Sequence, residues 1–149
     1  MKSLFQKENV NEILDRVNKL SPSTQRLWGK MNVNQMLAHS SIAMEAAIGS
    51  KYFPQLFMGK LIGRFFKSFA VGERPIKKNS PTNPAFIFVN TQEFEKEKQN
   101  LVGLINQFHQ GGEAKCTTNP HSFFGKLTPA EWGVLQYKHL DHHLSQFGV

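Results

Sequence analysis

The chain contains a single cysteine, Cys116, and so cannot form an internal disulfide bond. Disulfides persist in oxidising compartments, and this absence leads us to expect a cytoplasmic protein. No stretch approaches the roughly 18 consecutive apolar residues that a membrane-spanning helix requires. The first residues, MKSLFQKENVNEILDRV, also lack the apolar core of a signal peptide. These absences argue against a disulfide-rich secreted scaffold and against an integral membrane protein.

Acidic residues are scarce in residues 51–80, which carry seven basic side chains and one acid, Glu73, a local charge of +6. The whole chain has a net charge of +7 and an isoelectric point near 9.7, so its basicity is local. No helix-turn-helix, zinc-finger or interleaved aromatic-basic pattern accompanies the charge. We therefore expect no nucleic-acid partner.

Strand-like alternation is also nearly absent, and AFIFVN at residues 85–90 is the best candidate. Helical patterns dominate instead, and the 149 residues suit one domain. We predict an all-α fold in which four long helices form an antiparallel bundle, with an extra amphipathic helix and a long loop between the second and third. The expected N-cap residues of the four long helices are Asn9, Asn32, Thr91 and Thr128.

Three histidines fall within five positions of the last expected helix, in YKHLDHHLSQF at residues 137–147. His139 and His143 are four residues apart and share the inward face of that helix. Two neutral imidazoles at this spacing can bind one metal ion at about 2.0–2.1 Å each. One helix cannot surround an ion, so a third ligand must come from another helix. His39, on the core-facing side of the second helix, is the best candidate, and a three-histidine site keeps open the coordination positions that catalysis needs.

Core packing is the alternative interpretation of the same histidines. In a chain with six histidines, an H-x-x-x-H pair arises by chance often enough that its spacing is weak evidence. An inward histidine is also more often a hydrogen-bonded core residue than a metal ligand. From periodicity alone, packing is the favoured interpretation.

The sequence resembles the DinB/YfiT-like superfamily of four-helix-bundle metalloproteins, and most closely an uncharacterised bacterial branch of it. The resemblance covers essentially the whole chain and is carried by LWGKMNVNQMLAHS, HSFFGKLTPAEWG and YKHLDHHL. It implies an up-down-down-up bundle. The second-helix histidine of the family maps onto His39 and the last-helix pair onto His139 and His143, which together would hold zinc or nickel. With the resemblance, the metal site becomes the favoured interpretation.

Characterised members of that superfamily are similar to thiol S-transferases and a thiol-dependent isomerase. The resemblance therefore implies a metal-dependent transferase-type enzyme, in which an activated thiol or water attacks a small electrophile. Its partners would be a small-molecule substrate and a low-molecular-weight thiol, with a homodimer as the oligomeric state to consider. The family's usual H-R-G-Q segment is His143-Leu144-Ser145-Gln146 here, which retains only the first and last residues. The alternative is a non-catalytic metal-binding or stress-response module.

Four further residues are candidates for the site or its surroundings. Gln136 and Gln146 flank the expected ligands and could hydrogen-bond a bound cofactor or substrate, or they could be satisfied polar residues of the bundle. His121, in the loop before the last helix, could cover the mouth of the site, although an ordinary loop role is the simpler interpretation. Glu45 could act as an acid or base, but we favour a solvated role. Cys116 has no base assigned to it and is interpreted as structural.

Residues 53–71 form an amphipathic pattern in which Lys60, Arg64 and Lys67 line up beside a broad apolar arc. We expect the arc to pack on the bundle and the basic residues to face solvent. Two alternatives remain open: a helix that lies on an anionic membrane or partner surface, and one that covers the metal site and attracts an anionic substrate.

Overall fold

A computed structural model describes residues 1–88 and 93–149. Five α-helices make up most of these ranges: α1 (Lys7–Asn18), α2 (Val33–Ile48), α3 (Phe57–Val71), α4 (Phe94–Gly111) and α5 (Pro129–Gln146). Short 3-10 turns cover Pro84–Phe86 and Glu113–Lys115. No β-strand occurs in the two described ranges, where His121 and Gly125 form an isolated bridge. The all-α prediction is therefore confirmed for this part of the chain.

The core lies where α2 and α1 each pack against both α4 and α5. It is filled by apolar side chains from all four helices, with Met36, Leu37 and Met44 of α2 among the most deeply buried. Small residues on α2, including Ala43 and Ala47, are also buried there and permit close helix approach. The two helices that carry the predicted ligands, α2 and α5, are thus direct neighbours in the core.

The helix ends follow local sequence signals at α2 and α5. The side chains of Asn32 and Thr128 each accept a hydrogen bond from the backbone three residues on, and Gln35 and Glu131 complete the two capping boxes. Gly49 ends α2 with a φ of 87°, a conformation that favours glycine.

The predicted N-cap of the first helix is wrong by three residues, because Gln6 and not Asn9 occupies that position. Helix α1 begins at Lys7, and Asn9 is buried inside it. The Asn9 amide donates to the carbonyl oxygen of Ser3 and to the side chain of Gln6, so it fastens the N-terminal turn and does not cap the helix. Thr91, the expected cap of α4, lies outside the described residues. The described part of the candidate strand, residues 85–88, begins in a 3-10 turn.

Helix α3 packs by a face that contradicts the expectation for residues 53–71. Its buried residues are Gly59, Gly63 and Ala70, whereas the large apolar side chains are exposed. The backbone of Phe123 occupies the space that a Cβ at Gly59 or Gly63 would fill. Only the glycine side of α3 can therefore pack this closely against the loop that contains Phe123. The expectation that the apolar arc packs on the bundle is therefore wrong.

Polar contacts in its C-terminal half hold α3 against α5. Lys67 forms an ion pair with Glu131 at 2.7 Å. The Lys138 ammonium donates to the carbonyl oxygens of Phe69 and Gly72, at 2.9 and 2.6 Å. These carbonyls belong to the last turn of α3 and the residue after it, where a positive charge is favourable. Within the described residues, no helix combines the length and the apolar character needed to cross a membrane.

Candidate metal centre

The side chains of His39, His139 and His143 converge between α2 and α5. One ring nitrogen from each lies within 4.8 Å of the others. The closest pair is Nε2 of His39 and Nε2 of His139, at 3.0 Å. The rings pack with centroid separations of 4.7 to 5.0 Å. The structure thus brings together the three residues that the sequence predicted as ligands.

Hydrogen bonds at the far side of two rings fix which nitrogen faces the cluster. Nδ1 of His39 donates to the carbonyl oxygen of Phe86 at 3.0 Å. Nδ1 of His143 donates to the side-chain oxygen of Gln146 at 2.9 Å, and the Gln146 amide in turn donates to the carbonyl oxygen of Trp28. Because a neutral imidazole carries one proton, both rings present an Nε2 lone pair to the cluster.

His139 has the least satisfied ring of the three. Its Nε2 faces Nε2 of His39, and its Nδ1 is buried with no hydrogen-bond partner in the described structure. If His139 donates its Nε2 proton to His39, its Nδ1 becomes a buried acceptor without a donor. If Nε2 instead binds a cation, the proton moves to Nδ1. Either way, one polar atom remains buried, which costs about 1–3 kcal/mol.

Burial keeps all three imidazoles neutral near pH 7. Desolvation is the main cause that lowers the pKa of His39, and a proton on His142 would lower it further. Desolvation and the neighbouring His143 hold the pKa of His139 well below its ordinary value. Desolvation, followed by the charge of His39, lowers the pKa of His143 to about 3. Neutral imidazole is the form that binds metals.

The closest pair of ring nitrogens has the spacing that a shared transition-metal ion requires. Nitrogens bound to one ion at about 2.1 Å lie about 3.0–3.4 Å apart for bond angles between a right angle and the tetrahedral angle. The 3.0 Å between the Nε2 atoms of His39 and His139 falls in this range. An all-imidazole set suits zinc, nickel, copper or iron and is a poor set for calcium or magnesium.

Gln136 lies one turn before the histidine pair on α5. It is buried, its amide donates to the carbonyl oxygen of Ala43 at 3.3 Å, and its Oε1 has no hydrogen-bond partner in the described structure. Gln136 lines a cavity of about 20 Å³ together with Phe53, Phe86 and His121. That volume holds about one water molecule. Its role toward a cofactor or substrate stays a prediction.

His121 organises the loop before α5. Its Nδ1 accepts hydrogen bonds from the backbone N–H groups of Phe123 and Phe124, at 3.0 and 3.1 Å. Its ring stacks on Phe124 and tilts against Trp132. Desolvation lowers its pKa to about 4. His121 therefore borders the cavity but serves the loop, and its cofactor-binding role also stays a prediction.

Comparison with known protein families identifies the family to which the chain belongs. The sequence profile of a family described as "Protein of unknown function (DUF1569)" matches residues 2–148. The chain belongs to the DUF1569 family. No curated protein and no solved structure matches it. The matched range includes all three histidines and all five helices, and the description of the family states no activity.

The structure of this DUF1569 protein adds two backbone groups that sequence reasoning missed. The carbonyl oxygens of Phe86 and Trp28 orient the cluster through His39 and Gln146. No sequence signal could have identified these two carbonyl groups, because every residue has a backbone carbonyl. Only the path of the loop brings the carbonyls of these two residues to the histidine cluster. Glu45 pairs with Lys51 at 2.7 Å, which agrees with a surface role.

Proposed function

We propose that His39, His139 and His143 hold one divalent transition-metal ion, zinc or nickel, in a metal-dependent enzyme of transferase type. The observation that carries the proposal is the meeting of three neutral imidazoles from two helices within 4.8 Å. Desolvated histidines in one cluster are characteristic of functional sites, because packing alone would not require three titratable rings together. The resemblance to the DinB/YfiT-like superfamily supports the same assignment.

The proposal includes the arrangement of the helices. We assign the fold to the up-down-down-up four-helix bundle of that superfamily, with α1, α2, α4 and α5 as the bundle and α3 as the extra helix. The packing of α2 and α1 against both α4 and α5 supports it.

The ion, when bound, would lower the pKa of a thiol or water so that it can attack a small electrophile. This chain's own residues contribute orientation and a dry environment. The carbonyl of Phe86 and the side chain of Gln146 keep the protons of His39 and His143 on Nδ1. The unpaired Oε1 of Gln136, which lies one turn before His139 on α5, is a buried hydrogen-bond acceptor and would take a proton donor of a substrate that reaches it.

A second candidate function is metal binding without catalysis. The cavity beside Gln136 supports it, because this cavity holds about one water molecule and none of the three histidines is among the residues that line it. In this alternative the histidines retain the ion, and the protein acts as a metal-binding or stress-response module.

Metal content tests the site itself. Untagged protein is loaded with zinc or nickel, desalted and analysed by plasma mass spectrometry, together with His139→Ala and the matched control His142→Ala. His142 neighbours the ligands in sequence but lies outside the cluster and packs on Trp28. We expect about one equivalent of metal in the wild type and in the control, and a loss in His139→Ala. A folded wild type that retains no metal overturns the proposal.

Turnover separates the two candidate functions. The loaded protein is incubated with low-molecular-weight thiols and a panel of small electrophiles, and conjugates are identified by mass spectrometry. We expect conjugation above the uncatalysed rate that disappears in His139→Ala and persists in His142→Ala. Bound metal without turnover on any pair favours the non-catalytic module.

A further inference from the structure

Helix α3 presents a broad apolar surface away from the protein. Six of its large apolar side chains have between 49% and 74% of their surface exposed: Phe57, Met58, Leu61, Phe65, Phe66 and Phe69. Four of these are phenylalanines, which rarely stand together in solvent without a partner. Tyr52, just before the helix, is also exposed. We call these seven side chains the α3 apolar face.

The helix is turned so that its small residues meet the protein. At about 100° per residue, the buried Gly59, Gly63 and Ala70 fall on one side, and the centre of the exposed apolar residues of α3 falls about 130° away around the helix. The ion pair from Lys67 to Glu131 and the contacts of Lys138 with the last turn hold this orientation. The α3 apolar face is therefore presented outward by a braced helix.

Basic side chains lie beside the α3 apolar face. Lys60 and Arg64 are exposed and follow each other one turn apart. The guanidinium of Arg64 lies 4.8 Å from the ring of Phe65, and that of Arg74 lies 5.7 Å from the ring of Phe69. Long basic side chains beside apolar ones can keep their charge at an interface while their stems lie on apolar surface.

We propose that α3 is an interfacial anchor by which the protein binds the surface of an anionic phospholipid bilayer. The helix would lie in the plane of the bilayer, with the α3 apolar face among the acyl chains and with Lys60, Arg64 and Arg74 at the level of the lipid phosphates. Phenylalanine and leucine on one face and lysine and arginine beside them are the composition of such helices. Residues 51–80 carry a charge of +6, of which Lys51 and Lys67 are paired with Glu45 and Glu131, and the remaining +4 complements an anionic surface.

Charge favours a bilayer over a second copy of the chain. A two-fold contact through α3 would set the same surface against itself. Residues 51–80 offer one acid to seven basic side chains, so such a contact has almost no complementary charge. A bilayer that contains anionic lipid supplies that charge and also accepts the phenylalanines.

Vesicle binding tests the anchor. The full chain is sedimented at low salt with vesicles of phosphatidylcholine alone and of phosphatidylcholine with phosphatidylglycerol. We expect strong binding to the anionic vesicles and weak binding to the neutral ones. The double variant Leu61→Ser with Phe65→Ser should reduce the partition coefficient at least about tenfold. The variant Lys60→Glu with Arg64→Glu should remove the preference for anionic vesicles.

Leu27→Ser is the matched control, because Leu27 is 70% exposed and lies near Gly148, outside α3. It should bind like the wild type. Absence of wild-type binding to both vesicle types overturns the proposal, as does an equal loss in Leu27→Ser and the α3 variants. Light scattering without lipid tests the alternative that the α3 apolar face binds a second copy of the chain. That alternative is supported if the wild type is a dimer, if Leu61→Ser with Phe65→Ser is a monomer, and if the wild type binds no vesicles. Vesicle binding and dimer formation do not depend on bound metal, so these experiments test the membrane anchor independently of the proposed metal site.

Discussion

Gln146 links the ring of His143 to the backbone carbonyl of Trp28. Its side-chain oxygen accepts the Nδ1 proton of His143 at 2.9 Å, and its amide donates to the carbonyl oxygen of Trp28 at 2.8 Å. The second contact orients the amide, so its oxygen and not its nitrogen faces the histidine. Gln146 thereby fixes both the tautomer and the ring orientation of one proposed ligand.

Gln146→Leu should weaken metal binding without removing it. Loss of such a supporting contact typically lowers metal affinity about 10–100-fold, because the ligand ring is no longer held in its binding tautomer and orientation. Competition with a zinc-binding dye measures the change. The matched control is Gln136→Leu, at a buried glutamine on the same helix whose resolved contact goes to the carbonyl of Ala43. We expect its zinc affinity to stay close to wild type, and equal losses in the two variants would contradict the role of Gln146.

Gly63→Ala should destabilise the attachment of α3. A Cβ at this position would overlap the backbone of Phe123, which cannot move aside as a flexible side chain would. Overpacking of this kind costs about 1–3 kcal/mol. Urea unfolding and the rate of protease cleavage within α3 measure the effect.

Gly103→Ala is the control for that substitution. Gly103 lies on α4, and a Cβ there would meet nothing within 4 Å. Alanine in an exposed helical position should therefore raise the free energy of unfolding by about 0.5–1 kcal/mol. A Gly63→Ala protein as stable and as protease-resistant as Gly103→Ala would show that α3 does not pack as described.

Periodicity and capping signals predicted the elements that carry the proposed site. The boxes at Asn32 and Thr128 placed the starts of α2 and α5 correctly, because a cap depends on residues within one turn. Helical spacing put His139 and His143 on one inward face and made His39 the candidate third ligand, and the resemblance to the DinB/YfiT-like superfamily made the shared metal site the favoured interpretation.

The orientation of α3 could not be predicted by the same reasoning. A helical pattern identifies the apolar side of a helix but not what covers it. Here the deciding feature is the backbone of Phe123, which is distant in sequence and admits only Gly59 and Gly63. The Phe86 carbonyl on His39 is similar, since it depends on the path of a loop that has no periodic signal.

The imidazole of His121 should make the protein sensitive to acid. Burial lowers its pKa from 6.5 to about 4. As the pH falls below 6.5, the unfolded chain takes up a proton that the native ring excludes, so the free energy of unfolding decreases until the pH passes the native pKa. The full effect is at most about 3 kcal/mol.

His121→Asn isolates this contribution from those of the other buried histidines. Asparagine can accept the same kind of backbone N–H contact without titrating in this range. Urea unfolding between pH 7 and pH 4 should show a smaller loss of stability in the variant than in the wild type. Parallel pH profiles for the two proteins would mean that the His121 ring is protonated as readily in the native state as in the unfolded chain.

The thiol of Cys116 should be nearly inert in the native protein. Desolvation raises its pKa from 9.0 to about 11, and its sulfur lies 3.7 Å from the carbonyl oxygen of Ala47. The thiolate is the reactive form, so the native chain should react with iodoacetamide about a hundredfold more slowly than the unfolded chain at the same pH. Mass spectrometry of samples quenched over time, with and without urea, measures both rates, and Cys116→Ala gives the background. Because the proposed transfer uses an external thiol, Cys116→Ala should also keep the activity of the wild type. Rapid native alkylation together with loss of turnover in Cys116→Ala would instead make this cysteine the nucleophile.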